Sequence, residues 1–212
     1  MPKLLFGHFF RQGNPHNKIE LEKMRLVLAL CLLLLLNFGF AQAQTANVLD
    51  AQTTYLQLRP LIEVLEDRSG SLEFADIESS RYNKNFVAIA GDSDLNFGYS
   101  QSTYWLRLKI ASDVEAPGKW LLEVGYPSLD QIDLFTRKGD MLIHQKTGDL
   151  QSFSTREYPH RNLVFPVDIT PGTEQSIYLR VSSEGSLTLP LKLWSTTALH
   201  TNDQAIYSSF AL

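Results

Sequence analysis

Three stretches that read as strands place an aromatic ring two residues from a cation on the side away from the core: Trp105 with Arg107, Tyr178 with Arg180, and Lys192 with Trp194. Residues two apart in an extended strand project from the same face, so each pair sets a flat ring beside a charged donor. Such pairs suit a polar small molecule. Rings stack on the apolar faces of sugars, and cationic donors bond hydroxyls or carboxylates. A bidentate arginine favours a carboxylated ligand. Arg156, His160 and Arg161 lie in or beside a polar stretch, 147–161, that reads as a loop long enough to close over such a face. The candidate ligand residues are therefore Trp105, Arg107, Arg156, Arg161, Tyr178, Arg180, Lys192 and Trp194. A structural role for the same residues stays open, because cations stacked on rings across neighbouring strands also stabilise sheets, and Trp105 becomes core if another sheet, a bulge or a helix covers it.

Catalytic and metal chemistry find little to work with. Asp130 and Asp133 are three apart, which in a strand puts them on opposite faces, and Glu157 has no evident partner. His144, His160 and His200 are scattered without an HExxH or similar ligand spacing, and no Gly-x-Ser-x-Gly or phosphate-cradling glycine loop occurs. Neither a catalytic residue nor a metal or other cofactor is expected.

The elements that must hold the paired residues read as strands and turns. Tyr104, Leu106, Leu108 and Ile110 oppose Trp105, Arg107 and Lys109; Trp120, Leu122 and Val124 share a face; 129–136 and 141–145 form a hairpin about Lys138-Gly139-Asp140. Leu163, Phe165 and Val167 align, as do Ile177, Leu179 and Val181, and Leu187 to Leu193 alternate around Pro190, which argues for an edge or a bulge. Leu72, Phe74 and Ile77 mark a docked segment with about one helical turn. Seven to nine strands of this kind predict an all-β fold, a β-sandwich of jelly-roll type.

Arg25 precedes the apolar run Leu26 to Leu36, and Ala41-Gln42-Ala43 offers small residues for cleavage, so 24–43 reads as a secretory signal peptide or, extended to Phe40, an uncleaved anchor. Residues 1–23 read as a mis-called start ahead of Met24. The single cysteine, Cys31, falls in the apolar run, so no disulfide framework holds the exported part together. Of 19 Lys and Arg and 23 Asp and Glu, five and two fall in 1–43, which leaves 14 basic and 21 acidic residues and a net formal charge of −7. That balance excludes nucleic acid as a partner.

Gly98-Tyr99-Ser100 leading to Tyr104-Trp105-Leu106-Arg107, Gly148-Asp149 followed by Arg156 and Arg161, Val164-Phe165-Pro166, Ile177-Tyr178-Leu179-Arg180-Val181 and the run Ser186 to Trp194 together resemble the 7TMR-DISM extracellular domain 2 family. These are periplasmic sensor modules of receptors with seven transmembrane helices and diverse intracellular signalling modules. The resemblance covers about 54–196. It implies a jelly roll like that of carbohydrate-binding modules, exposed to the periplasm and tethered to the inner membrane, a sugar-like ligand, and an output such as a diguanylate cyclase or a histidine kinase beyond the membrane helices. On this reading 47–198 is the sensor domain, and 199–212 is the lead-in to a first membrane helix. Two rivals are a protein–protein or homodimerisation module and a secreted glycoside-processing enzyme using Asp133 or Glu157.

Overall fold

The computed structural model describes Met24, residues 48–91 and residues 93–209. The expected start segment and, apart from Met24, the expected signal peptide lie outside the described residues.

Alternating apolar residues build two main sheets. The larger, with seven strands, runs β4 (Val87–Ala88), β3 (Ile62–Asp67), β6 (Thr103–Ser112), β11 (Glu174–Ser182), β8 (Gln131–Lys138) and β9 (Met141–Thr147), with β1 (Val48–Leu49) pairing parallel to the end of β6. The second has four strands, β10 (Leu163–Asp168), β7 (Lys119–Val124), β13 (Leu191–Trp194) and β2 (Tyr55–Gln57). A small third sheet pairs β12 (Ser186–Leu189) with β5 (Leu95–Tyr99). Every pairing except β1 with β6 is antiparallel. The inner faces meet in one core that includes Leu106, Leu108, Ile132, Leu134, Ile177 and Leu179 from the large sheet and Trp120, Leu122, Phe165 and Leu193 from the second. This is an all-β sandwich, as the alternation predicts.

The strands outnumber the seven to nine expected because several last only two to four residues. The run 187–194 shows why. Proline has no N–H to donate, so the ladder breaks at Pro190: β12 stays with β5, β13 joins β7, and the Pro190 carbonyl accepts the Gly125 N–H at 2.9 Å. The expected edge or bulge is thus a corner between sheets. The hairpin about Gly139 (φ 60°) and the helical turn near Phe74 form as expected.

Both outer faces are partly covered. The chain between β3 and β4 carries α1 (Phe74–Glu78) and α2 (Ser80–Asn83) across the large sheet, burying Phe74, Ile77 and Phe86 against Leu65, Trp105 and Phe135. Asp67 fixes the entry to this cover: Oδ1 accepts the Ser69 hydroxyl (2.6 Å) and the N–H groups of Ser69 and Gly70, and Oδ2 accepts the Leu72 N–H (2.9 Å). Across the second sheet lies α3 (Thr196–Ser209), whose Leu199 packs with Leu121, Val164 and Trp194. Residues 199–209 belong to this helix, which docks on the sandwich through Leu199. No described helix is long and apolar enough to cross a membrane.

Candidate ligand-binding site

Strand register sets two cross-sheet rows on the outer face of the large sheet. One runs Leu65, Trp105, Arg180, Asp133, Lys146; its neighbour runs Glu63, Arg107, Tyr178, Phe135, His144. Alternation therefore assigns Trp105, Arg107, Tyr178 and Arg180 to a shared face, away from the core. The face is not open along its length, however, because the α1–α2 cover seals the half nearest β3.

Under that cover Trp105 is 0% exposed. The Arg107 side chain, 6% exposed, donates from Nε to Glu63 (2.7 Å) and from Nη1 to the Asn83 carbonyl (3.2 Å) and side chain, with its guanidinium 4.3 Å from the Phe86 ring centre. Tyr178 is half-buried and meets Phe74 edge-on at 5.4 Å. These three residues anchor the cover. The expectation that they line an open surface is corrected here: a polar face flanked by rings is also what a short helical segment needs in order to dock.

Lys192 and Trp194 occupy the opposite outer face, since β13 belongs to the second sheet. The Trp194 indole donates to Glu123 at 2.8 Å, and Lys192 Nζ sits 5.8 Å from its ring centre. Arg156 turns into its own loop, donating from Nη1 to the His160 carbonyl at 2.7 Å, while its buried Nε has no partner among the described residues. Arg161 pairs with Asp203 of α3 at 3.2 Å, beside a 2.9 Å contact from His160 Nε2 to the same carboxylate. Burial, and after it the Asp203 charge, push the Tyr158 phenol up. The 147–161 stretch thus grips α3 and does not close over Trp105 and Arg107.

What stays open is the β8–β9 end of the two rows, a groove of about 470 Å³ between that hairpin and α1. Its floor is the nearly buried Asp133 carboxylate, which accepts from Gln131 Nε2 (2.7 Å), lies 2.8 Å from His144 Nε2 and 4.0 Å from Arg180 Nη1. His144 lies flat on Phe135, with centres 4.4 Å apart and planes 4° from parallel, and Phe74 stacks on Phe135 at 4.8 Å. Arg180 gives Nη2 to the Gly70 carbonyl (3.0 Å), whereas its buried Nε has no partner among the described residues. Lys146 is exposed, with no carboxylate within salt-bridge distance among the described residues. On the far wall Arg137 is held by Glu78, which pushes its guanidinium pKa up. The groove combines the exposed His144 ring, a fixed carboxylate acceptor and the cations Arg180 and Lys146.

Of the eight candidate residues, only Arg180 lines this groove. Asp133, His144 and Lys146 line the groove and are not among the eight, although strand alternation puts Asp133 away from the core and His144 in step with Lys146. Glu157, the other carboxylate considered for catalysis, does not line the groove.

The family model for 7TMR-DISM extracellular 2 matches residues 59–195. No curated protein matches the chain. The matched span runs from the turn before β3 to just past β13 and so takes in both main sheets except β1 and β2, together with the groove, and the family is one of non-catalytic sensor modules exposed outside the cytoplasm. The chain belongs to the 7TMR-DISM extracellular 2 family, and its sandwich is an extracellular sensor module of a membrane receptor.

Proposed function

We propose that this sandwich is the periplasmic ligand-sensing domain of a bacterial inner-membrane receptor, that its fold is a jelly roll of the carbohydrate-binding type, and that it binds a carbohydrate or related polar molecule in the groove between α1 and β9. The observation that carries the reading is Asp133 held beside Arg180, Lys146 and the exposed His144 ring. A carboxylate and a cation side by side match the adjacent donor and acceptor of sugar hydroxyls, and the His144 ring, backed by buried Phe135, supplies apolar contact. Signalling requires more than binding, since a ligand shifts an equilibrium only by its differential affinity for two arrangements. The groove meets that need because one wall is the sheet and the other is α1, a separately docked segment. Relay to a cytoplasmic diguanylate cyclase or histidine kinase, through membrane helices following α3, completes the proposal.

Calorimetric titration with a panel of neutral and acidic sugars tests it. Lys146→Ala and Arg180→Ala should each weaken a binding sugar by about tenfold or more, the loss of one charge-assisted hydrogen bond, and Lys146→Ala should leave the unfolding midpoint in place. Binding that ignores both substitutions would remove the groove from the mechanism.

A homodimer is the second reading, favoured by β9. It is the last strand of its sheet, and Met141 and Leu142 on it are exposed; unpaired strand edges of this kind recruit partners. A mass in solution that doubles with concentration, and returns to the monomer value on Leu142→Lys, would support it.

A further inference from the structure

A second and larger cavity, about 770 Å³, opens at one end of the sandwich, where the β5–β6 turn, the chain entering β8, the segment after β9 and the end of β11 converge. Gly148 makes this convergence possible. At φ 144° it turns the chain so closely over β8 that a Cβ there would lie 2.2 Å from the Asp130 carbonyl. That carbonyl accepts the Leu150 N–H, which brings Leu150 to the cleft wall.

The lining differs in kind from that of the groove. Asp130 and Glu184 contribute two carboxylates and Ser100, Ser102, Ser182 and Ser183 four hydroxyls, and no Lys, Arg or His lines the cleft among the described residues. Asp130 Oδ2 accepts the Glu184 N–H at 2.7 Å, which fixes the carboxylate and leaves Oδ1 free among the described residues. Ser183 is only 6% exposed; its oxygen accepts the Gly185 N–H, and its own proton has no acceptor among the described residues. The Tyr99 ring, 85% exposed, stands at the mouth with no packing to account for it.

We propose that this end cleft is a second ligand site, for a polyhydroxylated compound carrying an ammonium group, of which an amino sugar is the simplest member. Asp130 and Glu184 take the ammonium, the serines the hydroxyls, and Tyr99 the apolar face of the ring. The charge preference follows from the lining: two carboxylates with no cation among them favour a positive ligand and repel an acidic one. Gln131 lines both cavities and borders the groove, but the two sites select opposite chemistry.

The test is calorimetric titration of the full chain with glucosamine, N-acetylglucosamine and glucuronate, at a pH where the amine is protonated. Glucosamine should bind at least about tenfold tighter than its acetylated form, which lacks the charge, and glucuronate should be the weakest at this site. Asp130→Asn together with Glu184→Gln should erase the preference, and Tyr99→Ala should weaken glucosamine while leaving the melting temperature unchanged, since Tyr99 is 85% exposed. Equal affinity for the two amino sugars, or a preference that survives the double substitution, overturns the proposal. So does glucosamine binding that is lost in Lys146→Ala and kept in Tyr99→Ala, which would place the ligand in the groove instead.

Discussion

Trp105 and Arg107 show how one side-chain pattern serves two ends. An indole on a sheet face looks the same in sequence whether it meets a ligand or a helix, and the structure gives it the helix. Trp105→Ala should therefore cost about 3–5 kcal/mol, as large aromatic deletions in cores do, read as a lowered midpoint in denaturant. Arg107→Ala should be nearly as harmful, about 3 kcal/mol, because it leaves Glu63 without its closest partner in a partly dry setting. A loss below about 0.5 kcal/mol for either, the range of ordinary surface changes, would mean that the cover is not closed in solution. Asp133 carries the opposite lesson. Asp130 lies just outside β8 and bonds the Glu184 N–H, so alternation along the strand does not relate it to Asp133; the partners of Asp133, Gln131 two residues along and His144 across the hairpin, become visible only once register is known.

Between β3 and β4, the cover depends on Asp67. Burial raises the pKa of that carboxyl, but the hydrogen bonds from the Ser69 hydroxyl and from the Leu72, Gly70 and Ser69 amides outweigh it, and the net shift is downward. A folded value below the unfolded one of about 3.9 gives stability that is fully present above that pH and is lost as pH falls through the lowered value. Acid should thus loosen 68–86 first, seen as faster amide exchange there than in β7. Asp67→Ala should reproduce it at neutral pH at a cost of about 2–3 kcal/mol. Gly148→Ala should cost about as much, through left-handed strain and collision with β8, read in the same denaturant midpoint. Elements whose apolar residues alternate were legible from the sequence: β6, β7, the β8–β9 hairpin, β10 and β11 all fall where the pattern puts them. The end of β13 and its separation from β12 were not, because Pro190 signals an interruption without saying which sheet receives the chain afterwards. The docked turn at Phe74 was legible too, but not its destination. Phe74 and Ile77, spaced i,i+3 as one helix face requires, state that something is buried, and long-range packing alone decides what.

At the scale of the molecule, the same loop that brings Leu150 to the end cleft continues to His160 and Arg161, which hold Asp203 of α3. One continuous segment therefore touches both a cavity and the terminal helix. Asp203→Ala removes two charge-assisted contacts and should raise amide exchange in 200–209 by about tenfold, with β7 unaffected; unchanged exchange would show that Leu199 alone seats the helix. The family match ends at residue 195, one position before α3 begins. Leu121, Val164 and Trp194 would then lose the lid that Leu199 provides. A recombinant fragment ended at residue 195 would display a greasy second surface, self-associate through it, and register as an oligomer for reasons unrelated to how the receptor signals.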